Sequence, residues 1–430
     1  MRVSSGMIFD AGVAGINRQT AAALHLQQQV SSGRRILTPS DDPVSAARAL
    51  EVTQASDMVA QFKQNQDYAT SALAMEEGQL SSAGDVLARV RELTLQAGNT
   101  NLSATARKGI ATELRSRFDE LLGIANSTDG AGTHIFSGFM GSTEPFGGSV
   151  DNLIAGNEIV YQGDDGQRKM QVSPNRFIEV SDSGSEVFRR ITNGNGYFSA
   201  DYAAGNTGTG RINAGSVTNP AAWSAGPTRN VTVNFTDTAG VISFDLLDAS
   251  GVSLLTASPA PAPLGVQRVY QAGQPIILKS QGAESAFDLG ASISISGAPA
   301  DGDSFSIAPA TSQSVFATIS KLIGALETPA GTPAANAQYS SEISFAIAGI
   351  DQASDNVLRV RARIGSRMNE IDSLASLNES LGVQYQQTLS GLQDLDYAKA
   401  ITDLTRKLTD LQAAQQSYAK MSQLSLFNYL

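Results

Sequence analysis

The chain has 430 residues, of which 41% are hydrophobic, and it carries a formal net charge of −11. This length and hydrophobic content predict a folded protein of two or three domains and exclude disorder throughout. The negative charge argues against nucleic acid or an anionic membrane surface as a main partner, and the absence of cysteine excludes disulfides, thiol nucleophiles and thiolate metal sites.

A weak helical pattern opens the chain. Between Met7 and Val30, apolar or small residues recur every three or four positions, and Val13 and Ile16 belong to this stripe. The start, MRVSSGMIFDAGVAG, lacks the apolar core of about 7 to 15 residues that a cleavable signal peptide needs. No segment reaches the ~18 apolar residues of a membrane span. We therefore expect any export to use a route without a cleavable signal peptide, and we expect no membrane insertion.

The stretch RILTPSDDPVSAARAL, residues 35–50, places two carboxylates between two prolines. Such a pair could bind a metal or move a proton, or it could mark the start of a helix. Pro43 suits a first helical position and biases Asp42 away from helical backbone angles. Asp42 is then placed to accept a hydrogen bond from a free amide, with Asp41 near the positive end of the helix dipole. We interpret Asp41, Asp42 and Pro43 as a helix cap.

Two helices are predicted next. No proline occurs from Val44 to Gly98, and the helical spacing predicts one very long helix, bent near Gly78 or Gly84. A further helix is expected from about Ser103 to Asn126.

The middle of the chain has a different pattern, in which glycine, proline, serine and threonine separate short alternating runs. NVTVNFTDTAGVISFDLL predicts a β-hairpin, and SISISGAPADGDSFSI predicts a second one. The single tryptophan, Trp223, is expected to be a buried anchor of this region.

Helical spacing returns at SVFATISKLIGAL and continues, after a proline-marked link, to Leu430. Leu404, Leu408 and Leu411 recur there at nearly heptad spacing. We predict a mainly α protein with a β-rich insertion, in which long antiparallel terminal helices form a coiled coil or helical rod and the middle domain faces outward. The predicted domains are a terminal assembly domain (1–40 with 390–430), a helical rod with a small β element (41–190 with 312–389) and a β-rich outer domain (191–311).

Catalytic patterns are missing from the sequence. His25 and His134 each lack a partner at metal-ligand or triad spacing, and neither HExxH nor GxSxG occurs. DGDSFS at 301–306 lacks the glutamate of a calcium loop. The sequence therefore predicts no enzyme activity, no metal site and no cofactor.

Several segments resemble one family. They are MRVSS at the start, QQQVSSGRRILTPSDDPVSAARAL at 27–50, HIFSGF at 134–139, PF at 145–146, VYQGDDG at 160–166, and the C-terminal run DLDYAKAITDLTRKLTDLQAAQQSYAKMSQLSLFNYL at 394–430. In these segments the chain is similar to the hook-filament junction proteins of the bacterial flagellum, the hook-associated protein 3 family. Flagellins share both terminal regions, but they usually have DDAAG where this chain has PSDDP.

The resemblance implies an extracellular structural protein of the flagellum, exported unfolded by the flagellar type III apparatus. It implies terminal helices that pair as coiled coils, self-association in a ring, and a position between hook-associated protein 1 and the first flagellins. It also implies an export chaperone that binds the C-terminal region.

Helix physics adds a candidate assembly surface, because a thin alanine-rich stripe without a partner cannot offset the ordering of its backbone. We assign this surface to Val13, Ile16, Val30, Leu404, Leu408, Leu411, Leu424, Leu426, Phe427 and Leu430. Three alternatives stay open. These residues could complete the core of a closed monomer, the chain could be a flagellin-type filament subunit, or residues of about 190 to 335 could form a glycan-binding or hydrolytic module of a secreted protein.

Overall fold

The structure is a computed structural model that describes residues 5–99, 102–226, 229–256, 267–282, 284–328 and 331–423. Its α-helices are α1 (Ser5–Ser32), α2 (Pro43–Ala97), α3 (Ala104–Ala125), α4 (Val150–Ile154), α5 (Pro220–Ala225), α6 (Val315–Glu327), α7 (Pro333–Gln393) and α8 (Tyr397–Gln423), with a π-helical turn at Ser185–Arg189. Its strands are β1 (Phe146–Gly147), β2 (Val160–Tyr161), β3 (Lys169–Ser173), β4 (Arg176–Glu179), β5 (Ile191–Thr192), β6 (Phe198–Tyr202), β7 (Arg211–Ile212), β8 (Ser216–Val217), β9 (Val231–Thr238), β10 (Val241–Leu247), β11 (Arg268–Val269), β12 (Pro275–Lys279), β13 (Asp288–Ser296), β14 (Ser304–Pro309) and β15 (Ser312–Gln313). The predicted class, helical ends around a β-rich middle, is confirmed.

The chain divides into two compact units. The terminal unit contains Met1–Asp67, Gln171–Arg176 and Ile371–Leu430, and the central unit contains Tyr68–Met170 and Phe177–Glu370. The division into three domains predicted from the sequence is finer than this and stays a prediction.

In the terminal unit, α1 packs against α8. The long C-terminal helical stretch expected from the sequence is interrupted between α7 and α8, at residues 394–396. There the Leu395 amide donates to the Gly33 carbonyl at 3.0 Å, and the Arg35 amide donates to the Gln393 carbonyl at 2.7 Å. The break therefore satisfies backbone groups of the loop that follows α1.

Glycine is needed at this loop. Gly33 has a φ of +71°, in the left-handed region that side chains with a Cβ disfavour. The hydroxyl oxygen of Tyr397 lies 2.8 Å from the position that a Cβ of residue 33 would occupy. Both the backbone conformation and the close approach of α8 exclude a larger residue without adjustment.

The helical part of the central unit is built around aromatic side chains. Phe118 on α3 and Phe316 on α6 lie with ring centroids 5.5 Å apart, and Phe146 lies 5.4 Å from Phe316. Phe188 lies 5.3 Å from Phe136 and 5.9 Å from Phe146. All five rings are buried. Their edge-to-face and tilted contacts add to the free energy of burying the rings themselves.

The β-rich part has a five-stranded sheet in the order β11-β10-β9-β14-β6 and a second sheet in the order β12-β13-β7, with β8 also paired to β13. The predicted hairpin of β9 and β10 is confirmed. Its turn has Ala239 and Gly240 at φ values of 54° and 86°, as a two-residue turn that matches strand twist requires. Trp223 is buried in the core of this region, as predicted.

The second predicted hairpin is wrong. β13 lies in the four-stranded sheet, whereas β14 pairs with β9 and β6 in the other sheet. Residues 297–303 between them form a crossing loop instead of a tight turn. The buried Asp303 carboxylate accepts from the amides of Thr207, Gly208 and Ala300 and so fixes this loop. Alternation predicted the buried faces of both strands, but alternation carries no information on which strand is the partner.

Candidate assembly surface

The PSDDP motif lies at the start of α2. Oδ1 of Asp42 accepts a hydrogen bond from the Ser45 amide at 3.1 Å, and Pro43 is the first residue of the helix. Hydrogen bonds from Ser45 hold the pKa of Asp42 below its usual value, and Arg35, whose Nη1 lies 3.3 Å from Oδ2 of Asp42, lowers it further. This is the geometry of an N-cap with proline at the first helical position.

Asp41 organises the loop before the helix. Its Oδ2 accepts from the amides of Thr38 at 2.8 Å and Leu37 at 2.9 Å, and these bonds hold the pKa of Asp41 below its usual value. Its Oδ1 lies 3.2 Å from Nε2 of His25. The sequence did not indicate Asp41 as a partner for His25. The two residues are 16 positions apart, and the loop between them comes back to His25 only because Asp41 bonds to the amides of that loop.

Arg35 connects this loop to the other end of the chain. Besides its contact with Asp42, it donates through Nη2 to the Leu392 carbonyl at 2.8 Å. The motif thus stabilises both the start of α2 and the junction of the two chain ends within the terminal unit.

None of the assembly residues predicted within the described part of the chain is buried. Val13 is 42% exposed and Leu408 is 47% exposed. The four others, Ile16, Val30, Leu404 and Leu411, are half-buried on two helices that pack against each other. Leu424, Leu426, Phe427 and Leu430 lie outside the described residues.

Close contacts also join the far part of these helices. The rings of Phe9 and Tyr418 lie edge to face with centroids 6.1 Å apart. Tyr418 also approaches Gly12, where a Cβ would lie 3.1 Å from its ring. The α1 and α8 pair therefore has its own aromatic contact, while the aliphatic residues Val13 and Leu408 stay accessible.

Further apolar side chains of the terminal unit, which the sequence analysis did not assign to the assembly surface, are exposed. On α8, Tyr397 and Ile401 are each 51% exposed, and with Leu408 they are spaced by four and seven residues, which places them on one helix face. Among the described residues of this unit, other large apolar side chains are also exposed: Met7, Leu24, Val44, Leu50, Met58, Leu377 and Val383. Helical spacing alone cannot distinguish a stripe that is buried within one chain from a stripe that awaits another chain.

The described residues hold no cluster of three or more histidine, aspartate or glutamate side chains that could bind a metal ion. Within the same residues, no helix is long and apolar enough to cross a membrane. The terminal unit instead has a helical surface on which apolar side chains are exposed.

Two family models match the chain. The bacterial flagellin N-terminal helical region matches residues 3–140, and the bacterial flagellin C-terminal helical region matches residues 347–430. Together they cover more than half of the chain, including α1 and α8. The chain is therefore a flagellin-like protein of the bacterial flagellum.

Individual relatives narrow this class. Flagellar hook-associated protein 3 of Escherichia coli is 24% identical over 428 residues, which are 99% of each protein. The crystal structure of the flagellar junction protein FlgL from Legionella pneumophila is 31% identical, with a TM-score of 0.68, over 81% of this chain and 100% of that one. Flagellin of Escherichia coli is 31% identical over only 122 residues, 28% of this chain and 24% of that protein. The chain belongs to the family of flagellar hook-associated protein 3, the flagellar junction proteins.

Proposed function

We propose that the chain is a structural subunit of the junction between hook-associated protein 1 and the flagellin filament. The observation that carries this proposal is the match to hook-associated protein 3 along 99% of both chains, whereas the match to flagellin ends after 122 residues. A filament subunit is the weaker alternative for the same reason.

The terminal unit supplies the contacts between subunits in this proposal. Val13, Leu408 and the neighbouring exposed residues of α8 lose their water contact when another subunit covers them. Burying a leucine side chain contributes roughly 1.5 to 3 kcal/mol, so a few such residues per subunit stabilise a closed ring. The half-buried Ile16, Val30, Leu404 and Leu411 hold α1 and α8 together and extend the same surface.

The partners in this proposal are other copies of the chain in a ring, hook-associated protein 1 on one side and flagellin on the other. An export chaperone covers the C-terminal region before assembly. The protein acts outside the cell, in the flagellum. Its role is structural and not enzymatic, which the membership of a structural flagellar family supports.

A strain without the gene tests the proposal. We expect it to build hooks but to shed flagellin monomers into the medium, and the full-length chain should restore filaments. A chain that lacks Leu424 to Leu430 should be exported and should fail to restore stable filaments. Normal filaments on the deletion strain would refute the proposed function, and normal filaments with the truncated chain would refute the assembly role of its C-terminus.

Among the described residues, the separate core of the β-rich part is the one structural observation that favours a hydrolytic or glycan-binding middle region. A glycan-array screen of the full-length protein tests it directly, and specific binding that maps to the β-rich part would revive it.

A further inference from the structure

Glu76 is a buried acidic residue that the assembly surface does not use. It lies on α2 within the central unit and has no exposed area. Its Oε1 accepts a hydrogen bond from the Asp182 amide at 3.0 Å, whereas its Oε2 is buried without a hydrogen-bond partner. A buried oxygen without a donor costs far more free energy when the group is ionised than when it is neutral.

The residue whose amide donates to Glu76 is itself acidic. The Asp182 side chain is also fully buried, but it is fully paired. Its Oδ2 accepts from Nη1 of Arg367 at 2.8 Å, and its Oδ1 accepts from Nη2 of Arg367 at 3.2 Å and from Nε2 of Gln167 at 2.9 Å. This pairing fixes a negative charge beside Glu76, and a second ionised carboxylate at the same place is disfavoured.

The cations around Glu76 are engaged elsewhere. Arg367 of α7 contacts Asp182 and also Glu179, at 3.2 Å. Arg363, one turn earlier on α7, contacts Glu186 at 2.6 Å and lies 3.8 Å from Asp182. Arg168, before β3, donates to the Ser181 hydroxyl at 3.4 Å. Each of these arginines therefore has a partner other than Glu76.

Burial and the neighbouring Asp182 raise the pKa of Glu76 to about 8, against the partial opposition of the Asp182 amide, Arg367 and Arg168. This direction agrees with the geometry, in which one oxygen of Glu76 has no donor and the neighbouring Asp182 carboxylate already occupies Arg367.

We propose that Glu76 is a proton-binding site of the helical core, which is neutral in the folded protein at neutral pH and whose deprotonation weakens the packing of α2 against residues 181–183 and α7. The unfolded chain holds this proton only below a pH near 4.5, the usual pKa of a glutamate. The folded state therefore binds one more proton between pH ~4.5 and pH ~8. Its stabilisation is complete below this window and is lost as the pH rises through it.

The test is the pH dependence of unfolding of the full-length protein and of Glu76→Gln, which has the same shape and no charge. One extra bound proton changes the unfolding equilibrium constant about tenfold per pH unit. We expect the ratio of the wild-type constant to the Glu76→Gln constant to rise by about this factor per unit from pH 5 to pH 8. Glu77→Gln is the matched control, because Glu77 is the neighbouring residue and pairs with Arg361 at 2.6 Å. It should leave that slope unchanged.

Parallel profiles of the wild type and Glu76→Gln would overturn the proposal. If Glu76→Gln does not fold, the wild-type protein still decides the question. Carboxyl carbon signals of protein labelled at glutamate should then include one that titrates near pH 8 in the folded state. Titration of every glutamate below pH 6 would overturn the assignment.

Discussion

The two units of this chain use their apolar residues in opposite ways. The central unit buries five phenylalanine rings, in which neighbouring ring centroids lie 5.3 to 6.2 Å apart, and encloses a separate β-rich core. The terminal unit leaves Val13, Leu24 and Leu408 exposed on helices rich in alanine and glutamine. Among the described residues, the central unit thus has large buried apolar cores, whereas the terminal unit buries few large apolar side chains.

The largest effect is expected in the phenylalanine cluster. Phe316→Ala removes a fully buried ring that contacts Phe118, Phe146 and Phe188, and it should destabilise the central unit by about 3 to 5 kcal/mol. Chemical denaturation of the purified protein measures this. Val13→Ala serves as the control and should change the stability little, since Val13 is 42% exposed. Equal losses in both variants would remove the contrast between the units.

A second prediction concerns assembly rather than stability. Leu408→Asp places a charge on the exposed face of α8 and should prevent filament attachment while the thermal unfolding of the purified protein changes little. Val269→Asp is the matched control, because Val269 is 64% exposed in the β-rich part. Electron microscopy of cells that carry each variant gives the readout. Normal filaments with Leu408→Asp would show that this face contacts no other subunit.

Third, hydrogen exchange should separate the units in a free subunit. Backbone amides of residues 5–38 and 390–423 are expected to exchange quickly in dilute solution, because exposed helices without a large buried core open easily. Amides of α3 and of the second half of α2 should exchange slowly. Strong protection of both terminal segments in a demonstrated monomer would mean that they complete the core of a closed monomer.

The smallest effects are expected at the start of α2. Asp42→Asn should be close to neutral because asparagine also accepts the Ser45 amide, whereas Asp42→Ala should lower the Tm of the terminal unit. The pKa values of Asp41 and Asp42 are lower in the folded protein than in the unfolded chain. The stabilisation by these carboxylates is therefore present at a pH above their unfolded-state pKa and is lost as the pH falls through their folded-state pKa. Calorimetry at pH 7 and at pH 2.5 measures both effects. If folding depended on a metal ion and this dependence were lost in Asp42→Asn, the interpretation of Asp42 as a helix cap would be contradicted.

The sequence predicted the helices well because their signals are local. Each signal is contained in a short segment of the chain. Examples are the helical spacing of Ile110, Leu114 and Phe118 and the prolines that flank Asp41 and Asp42. The failures were non-local. Strand β14 pairs with β9 and β6, which lie far from it in the sequence. At the break before Tyr397, the Leu395 amide and the Gln393 carbonyl bond to the loop after α1, which is equally distant along the chain.

The same limit applies to the candidate site. The apolar stripes of α1 and α8, which contain Val13 and Leu408, could be recognised from the sequence. Which residues of each stripe are exposed could not, because exposure depends on the face of each helix that the other helix covers. Glu76 carried no sequence signal, since its neighbours Asp182 and Arg367 lie far away along the chain.

The contact between Arg35 and Leu392 joins residues that are 357 positions apart. During synthesis from the N-terminus, Arg35 can reach its local partner Asp42 early, but it meets Leu392 only when almost the whole chain has been made. Closing so long a loop costs conformational entropy that a local contact does not cost. This contact of the terminal unit therefore cannot form until the chain is present as far as Leu392.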